Sequence, residues 1–399
     1  MGLQDTVSAE RVHIGFFGLR NAGKSSLVNA VTGQALSVVS AVKGTTTDPV
    51  QKAMELLPLG PVVILDTPGL DDEGELGAMR VQRAKQALSR TDIAVLVTDA
   101  TLPLSALDRD MIAQFQSRGL PYFIVRNKCD LLTERQETDE NTLYVSAVTG
   151  ENVHLLKEKL AAVAAQRKTD KPLIADLLQP GDLTVLVTPI DESAPKGRMI
   201  LPQQQTMRDL LDHHLSFVTC QPQELRSVFA ALRQPPKLVV TDSQAFAAVD
   251  RDTPPDVPLT SFSILFARYK GSLPTLVQGA AKLAKLQTGD RVLISEGCTH
   301  HRQCGDIGTV KLPGWIRRFT GAEPAFTFMS GRDFPEDLSG YALVVHCGGC
   351  MLNETEMRSR IRTAEQNGVP IVNYGVAIAQ MHGILRRSLA PFPDVEKLL

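Results

Sequence analysis

Short apolar runs rich in β-branched residues punctuate the first part of the chain: VHIGFFG, VVILDTPG, IAVLVTDA, PYFIVRNK and TLYVSA. Helix-like patterning fills the gaps between them, and such alternation predicts parallel βαβ units. From residue 162 to 182 the stretch AVAAQRKTDKPLIADLLQPGD passes from an alanine-rich helix through charge to Pro-Gly, which predicts a linker followed by a new strand. A second region then offers the extended runs LTVLVTPI and RMILP, a helix over QQTMRDLLDHHL, the strand SFVTC, a helix near PQELRSVFAAL and the strand KLVVTD. The Pro-rich DRDTPPDVPLTS (250–261) reads as a loop before a further strand, FSILFARYKG. A third region opens on a helical LPTLVQGAAKLAKL and continues with strands RVLIS, AFTFMS, YALVVH and VPIVN, with NETEMRSRIRTAEQNG as a helix among them. The expected fold class is α/β in three domains, a P-loop domain over 1–168 followed by two smaller α/β domains over 169–270 and 271–399.

Composition narrows this picture only a little. Hydrophobic residues make up 43%, charged residues 22% and aromatics 5% of the 399 residues, which fits α/β architecture better than a disordered or disulfide-stapled class. The N-terminal MGLQDTVSAERVHIGFFG lacks a basic region followed by an apolar run, and no stretch of about 18 apolar residues occurs, so a cytoplasmic protein with no membrane partner is expected. In a reducing compartment the six cysteines serve as metal ligands, catalytic groups or core residues rather than as disulfides. A net charge of −2 gives no electrostatic reason to expect nucleic acid as a partner.

Four motifs follow predicted strands in order. GLRNAGKSS, from Gly18 to Ser26, has the G-x4-G-K-[ST] pattern between a strand and a helix. Backbone N–H groups of Gly18, Asn21, Ala22, Gly23 and their neighbours would cradle phosphates, Lys24 would reach the β and γ phosphates, and Ser25, next to Ser26, would ligate Mg²⁺. DTPG places Asp66 at a strand end, where it would hold Mg²⁺ through water, while Gly69 senses a γ-phosphate. NKCD supplies Asn127, Lys128 and Asp130, whose carboxylate would accept from both N1–H and the exocyclic amine of guanine. Ser146 and Ala147 follow the next strand and would offer a backbone N–H to the guanine O6.

This series resembles the translation-factor-like GTPases, and within them the tRNA-modification and ribosome-assembly group. The resemblance places a first switch at KGTTTDPV, with Thr46 as second Mg²⁺ ligand and Thr45 or Thr47 in its place if the register slips. Leu70 stands where Ras-like proteins carry a water-orienting glutamine. Related GTPases with an apolar residue there use K⁺ held by a P-loop asparagine, the position of Asn21. Hydrolysis without glutamine or arginine finger is expected to be slow, as suits a switch.

A second constellation lies in the third region. SEGCTHHRQCGD gives Cys298, His300, His301 and Cys304; YALVVHCGGCMLN gives His346, Cys347 and Cys350. Each half follows a predicted strand, so the two loops would converge outside the carboxyl ends of a parallel sheet. The residue types allow a tetrahedral zinc site, an iron–sulfur cluster on three thiolates with its fourth position open, or two inert turns. Cys129 and Cys220 read as buried small hydrophobes.

The GTPase motifs joined to Cys-x-His and a distant His-Cys-x-x-Cys resemble the HydF family of FeFe-hydrogenase maturation GTPases. TPIDESAPKGRMILPQQQTMRDLL, CTHHRQCGDIGTVKLPGW and HCGGCMLN extend the resemblance over essentially the whole chain. It implies GTP and Mg²⁺ at the first domain and a homodimer through the middle domain. It also implies a 4Fe–4S cluster on Cys298, Cys347 and Cys350, with His300 or His346 as fourth ligand or as a supporting group. Two radical-SAM maturases as donors of a diiron precursor and the apo FeFe-hydrogenase as acceptor are the implied partners. The alternative expectation is an RNA-modification or ribosome-associated GTPase with a zinc-stabilised C-terminal domain. It would need a basic face, whereas the arginines of MRSRIRTAE fall at alternate positions and spread around a helix.

Overall fold

Strand β1 (Val12–Phe17) is buried along almost its whole length because parallel strands flank it on both sides. In the computed structural model the described residues are 8–34, 50–67, 83–135, 137, 139–167, 171–190, 199–297, 306–331 and 333–399. Two compact units, Met1–Asp170 and Lys171–Leu399, divide the chain.

In the first unit β1 is followed by α1 (Lys24–Thr32), β2 (Val50–Leu56), β3 (Gly60–Asp66), β4 (Ile93–Asp99), α2 (Ala106–Ser117), β5 (Tyr122–Asn127), β6 (Thr142–Tyr144) and α3 (Val153–Arg167). The sheet order is β2-β3-β1-β4-β5-β6, antiparallel only between β2 and β3. Central strands covered on both faces need mostly apolar side chains, and this made β1, β3, β4 and β5 visible as near-continuous runs. β2 is the exception: its sequence, VQKAMEL, mixes polar and apolar residues, with Gln51, Lys52, Ala53 and Glu55 exposed, so its place in the sheet depends on pairing with β3 rather than on burial. The topology brings the ends of β1, β3 and β5 to one edge of the sheet, the edge at which parallel α/β sheets bind ligands.

The second unit contains β7 (Leu183–Val187), α4 (Leu201–Asp212), β8 (Ser216–Cys220), α5 (Leu225–Ala231), β9 (Leu238–Thr241), α6 (Phe246–Asp252), β10 (Leu259–Ser261) and α7 (Phe262–Lys270). It continues with α8 (Leu273–Leu283), β11 (Arg291–Glu296), α9 (Leu312–Thr320), β12 (Ala325–Ser330), β13 (Leu343–His346), α10 (Glu354–Gln366), β14 (Ile371–Asn373) and α11 (Tyr374–Met381). Two all-parallel four-stranded sheets result, β10-β9-β7-β8 and β12-β11-β13-β14. One continuous apolar core joins them, running from Leu173 to Phe392. The chain is therefore α/β, a P-loop domain followed by two further α/β domains with parallel sheets.

Two sequence expectations are corrected. FSILFARYKG forms helix α7, not a strand: the Ser261 side chain caps it by accepting from Ile264 N at 3.2 Å. Phe262, Ile264, Leu265, Phe266 and Ala267 are all buried, so α7 is apolar nearly all round and lacks the one-sided periodicity that marks a surface helix. Leu201 and Pro202 of RMILP begin α4, where a proline in the first turn costs no hydrogen bond. Cys129 and Cys220 are buried as expected. Among the described residues no helix is long and apolar enough to cross a membrane.

Helix α8 packs so closely on β14 that a Cβ on Gly279 would collide with the Ile371 carbonyl. Helix propensity alone credits Gly→Ala with up to about 1 kcal/mol of stabilisation. Gly279→Ala is nevertheless expected to lower stability by about 1–3 kcal/mol in urea unfolding, because the opposing atom is backbone; a gain would show that α8 does not rest on β14.

Candidate functional site

Between β1 and α1 the chain turns through Gly23, which holds φ 83 and carries no side chain where a Cβ would strike the Asn127 amide. That closeness has a partner reason. Asn127, buried at the end of β5, donates from Nδ2 to Ala22 O at 2.9 Å and accepts at Oδ1 from Ala147 N at 3.1 Å. One side chain thus fastens the phosphate loop, the NKCD strand end and the Ser-Ala turn together. Ser146 is buried, and its Oγ accepts from Thr149 N at 3.1 Å. Asn21 is exposed at φ 62, a left-handed conformation that asparagine tolerates. Lys128, also left-handed at φ 65, pairs with Asp99 at 2.6 Å, and Asp130 is exposed in the turn Cys129–Leu131.

At the foot of this loop Ser25 Oγ donates to Asp66 Oδ2 at 3.2 Å. Asp66 Oδ1 is buried with no hydrogen-bond partner among the described residues. Burial pushes the Asp66 carboxyl up, against the opposing pull of the Lys24 charge and the Ser25 hydroxyl. A hydroxyl beside a carboxylate with one oxygen unmet is a donor set suited to a hard cation such as Mg²⁺. Sequence reading missed a neighbouring contact: the Cys129 thiol lies 3.5 Å from Glu151 Oε2, and Arg135 grips that carboxylate at 2.6 and 3.0 Å. Thr45, Thr46, Thr47, Gly69 and Leu70 lie outside the described residues.

The cysteine loop grows from adjacent strand ends. Ser295 of β11 is in register with His346 of β13, so Gly297 and the Cys347–Cys350 loop emerge side by side. Cys347 Sγ accepts from Gly297 N at 3.1 Å and from Gly349 N at 3.4 Å, the latter in a turn where Gly349 takes φ 65. Burial pushes the Cys350 thiol up, and the Lys270 charge acts against that.

His346 is fully buried, with Nδ1 2.7 Å from Cys347 O and Nε2 3.1 Å from Arg360 Nη1. A guanidinium has only donors, so Nε2 accepts and Nδ1–H donates, which fixes the tautomer and engages both ring nitrogens. Burial, then the Arg360 charge, lowers the His346 pKa to about 3. Arg360 is buried too, donating to Glu356 Oε1 at 2.8 Å, Gly331 O at 3.0 Å and Ser295 Oγ at 3.5 Å. Nearby, the Tyr374 hydroxyl donates to Glu296 Oε1 at 3.2 Å, and burial, Cys347 and Glu296 raise the phenol well above its ordinary range.

Among the described residues no three His, Cys, Asp or Glu side chains are grouped to hold a metal ion. Cys298, His300, His301 and Cys304 lie outside them. In the described half two N–H···S contacts on Cys347 favour anionic sulfur, the form that ligates iron, whereas at Cys350 burial outweighs the Lys270 charge. Arg360 and Lys270 were not foreseen. The i, i+4 spacing of Glu356 and Arg360 was a signal for the first pair. Lys270 sits near the end of FSILFARYKG, whose apolar residues read as a strand from sequence alone. Arg358, by contrast, is exposed and paired with Glu354, so the arginines of α10 form no single face.

Residues 13–128 match the family model described as 50S ribosome-binding GTPase. The chain is 38% identical over 154 residues to the tRNA modification GTPase MnmE of Xanthomonas euvesicatoria pv. vesicatoria, covering 38% of this chain and 34% of that protein. It is 34% identical over 168 residues to GTPase Der of Wolinella succinogenes, covering 38% of this chain and 36% of that one. The match thus spans only about a third of the length of these curated relatives. Among solved structures, Aquifex aeolicus Era bound to GDP.AlF4- matches with a TM-score of 0.34 and 16% identity, over 80% of this chain and 92% of that one. A likeness so distant adds nothing to the fold. Residues 173–271 match the hydrogen maturase F dimerization domain and residues 274–391 the hydrogen maturase F tetramerization domain. Both descriptions name self-association, and the second extends it beyond the dimer that the resemblance implied. These two models together span more than half of the chain and follow a GTPase domain, and the chain belongs to the HydF family of hydrogenase maturation GTPases.

Proposed function

We propose that this chain is a GTP-binding and GTP-hydrolysing scaffold that receives a diiron precursor and transfers it to an apo FeFe-hydrogenase. The observation that carries the reading is the 3.1 Å contact from Gly297 N to Cys347 Sγ, in a chain of the HydF family. It sets the residue preceding Cys298 against the second cysteine half, supporting Cys298, Cys347 and Cys350 as three thiolate ligands of a 4Fe–4S cluster. His300 is the candidate for the fourth position. His346, with both nitrogens engaged, orients Cys347 through its carbonyl instead of ligating. When bound, the cluster would present one iron with an exchangeable ligand to the diiron cargo, which carries CO and CN⁻ from two radical-SAM maturases. The chain's own residues favour the Cys347 thiolate through the N–H groups of Gly297 and Gly349.

In the nucleotide domain Lys24 neutralises charge developing on the β and γ phosphates, and Ser25 and Asp66, with Thr46, hold Mg²⁺. Gly69 senses the γ-phosphate, and Asp130 selects guanine while Asn127 keeps the base and phosphate loops in register. Asn21 coordinates K⁺, which takes the place of an arginine finger. The division of labour is 1–168 for nucleotide, 169–270 for the dimer and 271–399 for cluster and cargo, in a cytoplasmic protein.

Chain co-produced with the two maturases and then mixed with apo-hydrogenase is expected to start hydrogen evolution. Cys298→Ser, Cys347→Ser and Cys350→Ser are each expected to leave it at the apo-hydrogenase background; serine variants that activate as well as the parent would remove the scaffold reading. GTP turnover is expected to run at least about tenfold faster in K⁺ than in Na⁺, a part of what an arginine finger supplies. Asn21→Ala abolishes that difference, and equal rates in the two salts for the parent would sink the assignment.

A further inference from the structure

Two turns frame the edge of the first sheet suited to a guanine: the NKCD turn at the end of β5 and the Ser-Ala turn after β6. Deep in the fold they are tied by the Asn127 contact to Ala147 and by Cys129 N, which donates to Val145 O at 3.2 Å. A second tie joins them further out, and it is built around Glu151. Glu151 O accepts from Ser146 N at 3.1 Å, which closes the Ser-Ala turn on itself. Gly150 at φ 82 and Asn152 at φ 55 flank Glu151, both left-handed, and the Asn152 amide donates to Tyr144 O at 2.9 Å. The turn is thus fixed on both sides of Glu151, whose side chain reaches across to the other turn. Arg135, five residues beyond Asp130, donates to Glu151 Oε1 at 2.6 Å and to Oε2 at 3.0 Å. The Cys129 thiol adds a contact to Oε2 at 3.5 Å; burial, then the Glu151 charge, raises its pKa, so it stays S–H and donates.

Two side chains that are each 39% exposed gain little from an isolated ion pair. This pair differs in two respects. It is bidentate, which fixes the orientation of its partners as well as their distance. It also joins the two turns that a guanine would touch. Asp130 would meet N1–H and the exocyclic amine while Ala147 N–H meets O6, and all three contacts fall on one rigid planar edge. Any drift of one turn against the other therefore weakens them together.

We propose that Arg135 and Glu151 are positioning residues of the guanine site: their ion pair clamps the Asp130 turn to the Ser-Ala turn and so sets how long the nucleotide stays bound. The inference rests on the reading that Asp130 and Ala147 hold the guanine edge. Both residues stand on the base turns and neither on the phosphate loop that follows β1, so the pair acts on binding and leaves the hydrolytic step alone.

The test uses the full-length parent, Arg135→Gln, Glu151→Gln and the double variant. Each is loaded with N-methylanthraniloyl GDP, whose release is followed by stopped-flow fluorescence after a chase of unlabelled GDP, and each is assayed for GTP hydrolysis. Thermal melting of the nucleotide-free chains serves as the folding control. Each single variant is expected to release the labelled GDP about threefold faster than the parent and to raise the KM for GTP by a similar factor, with kcat unchanged. The double variant is expected to match the singles, because the second substitution has no pair left to break. Release rates equal to the parent's in both single variants overturn the inference. So does a double variant whose effect is the product of the two single effects, and so does a loss confined to kcat. Arg135→Lys, which keeps the charge but not the two-point contact, replaces a glutamine variant that does not fold, with release again expected to be faster than in the parent. A parent that binds no labelled GDP overturns the guanine-site reading itself, which separates that failure from this one.

Discussion

The buried guanidinium of Arg360 is the interaction on which the end of the third sheet depends. It binds Glu356 on its own helix, the Gly331 carbonyl just past β12, Ser295 of β11 and His346 of β13. Three neighbouring strands are therefore fixed at their carboxyl ends by one side chain. Removing one member of a buried ion pair of this kind typically costs about 3–5 kcal/mol, because the remaining charge stays buried. The consequences run outwards in a definite order: Arg360 donates to His346 Nε2, the proton must then reside on Nδ1, and Nδ1–H holds the Cys347 carbonyl. Cys347 is oriented so that its sulfur meets the N–H groups of Gly297 and Gly349.

Asn127 has a comparable part in the first unit. Its amide joins Ala22 to Ala147, so the loop suited to phosphates and the turns suited to a base are set by one buried group. In both units the architecture supplies a row of parallel strand ends, and a single buried polar side chain turns those ends into a site. The ends differ in chemistry. Glycine and lysine at the first suit phosphate oxygens, whereas backbone N–H groups, thiols and two buried cations at the second suit anionic sulfur.

Much of this was legible in the sequence, for reasons specific to particular segments. VHIGFFG and YFIVRN are largely buried and mostly apolar, so their runs declared parallel strands, and the motifs fell at the expected strand ends. FSILFARYKG failed because burial on all sides erases the difference between helix and strand periods. VQKAMEL failed in the opposite way, since its strand is fixed by pairing to β3 and not by its own composition. Cys347 and Cys350 were visible by spacing. Lys270 and Arg360 were not, because a lone lysine and an arginine within a charged helix look like solvated surface until the tertiary fold encloses them.

The central claim is that the cysteine loop and the segment around Cys298 form an iron–sulfur site in a GTPase of the HydF family. Its most direct test is EPR of the chain after anaerobic reconstitution with iron and sulfide and reduction with dithionite. The account predicts stoichiometric iron and sulfide with the signal of a reduced 4Fe–4S cluster. Retention of one zinc per chain, with no cluster signal, would contradict it.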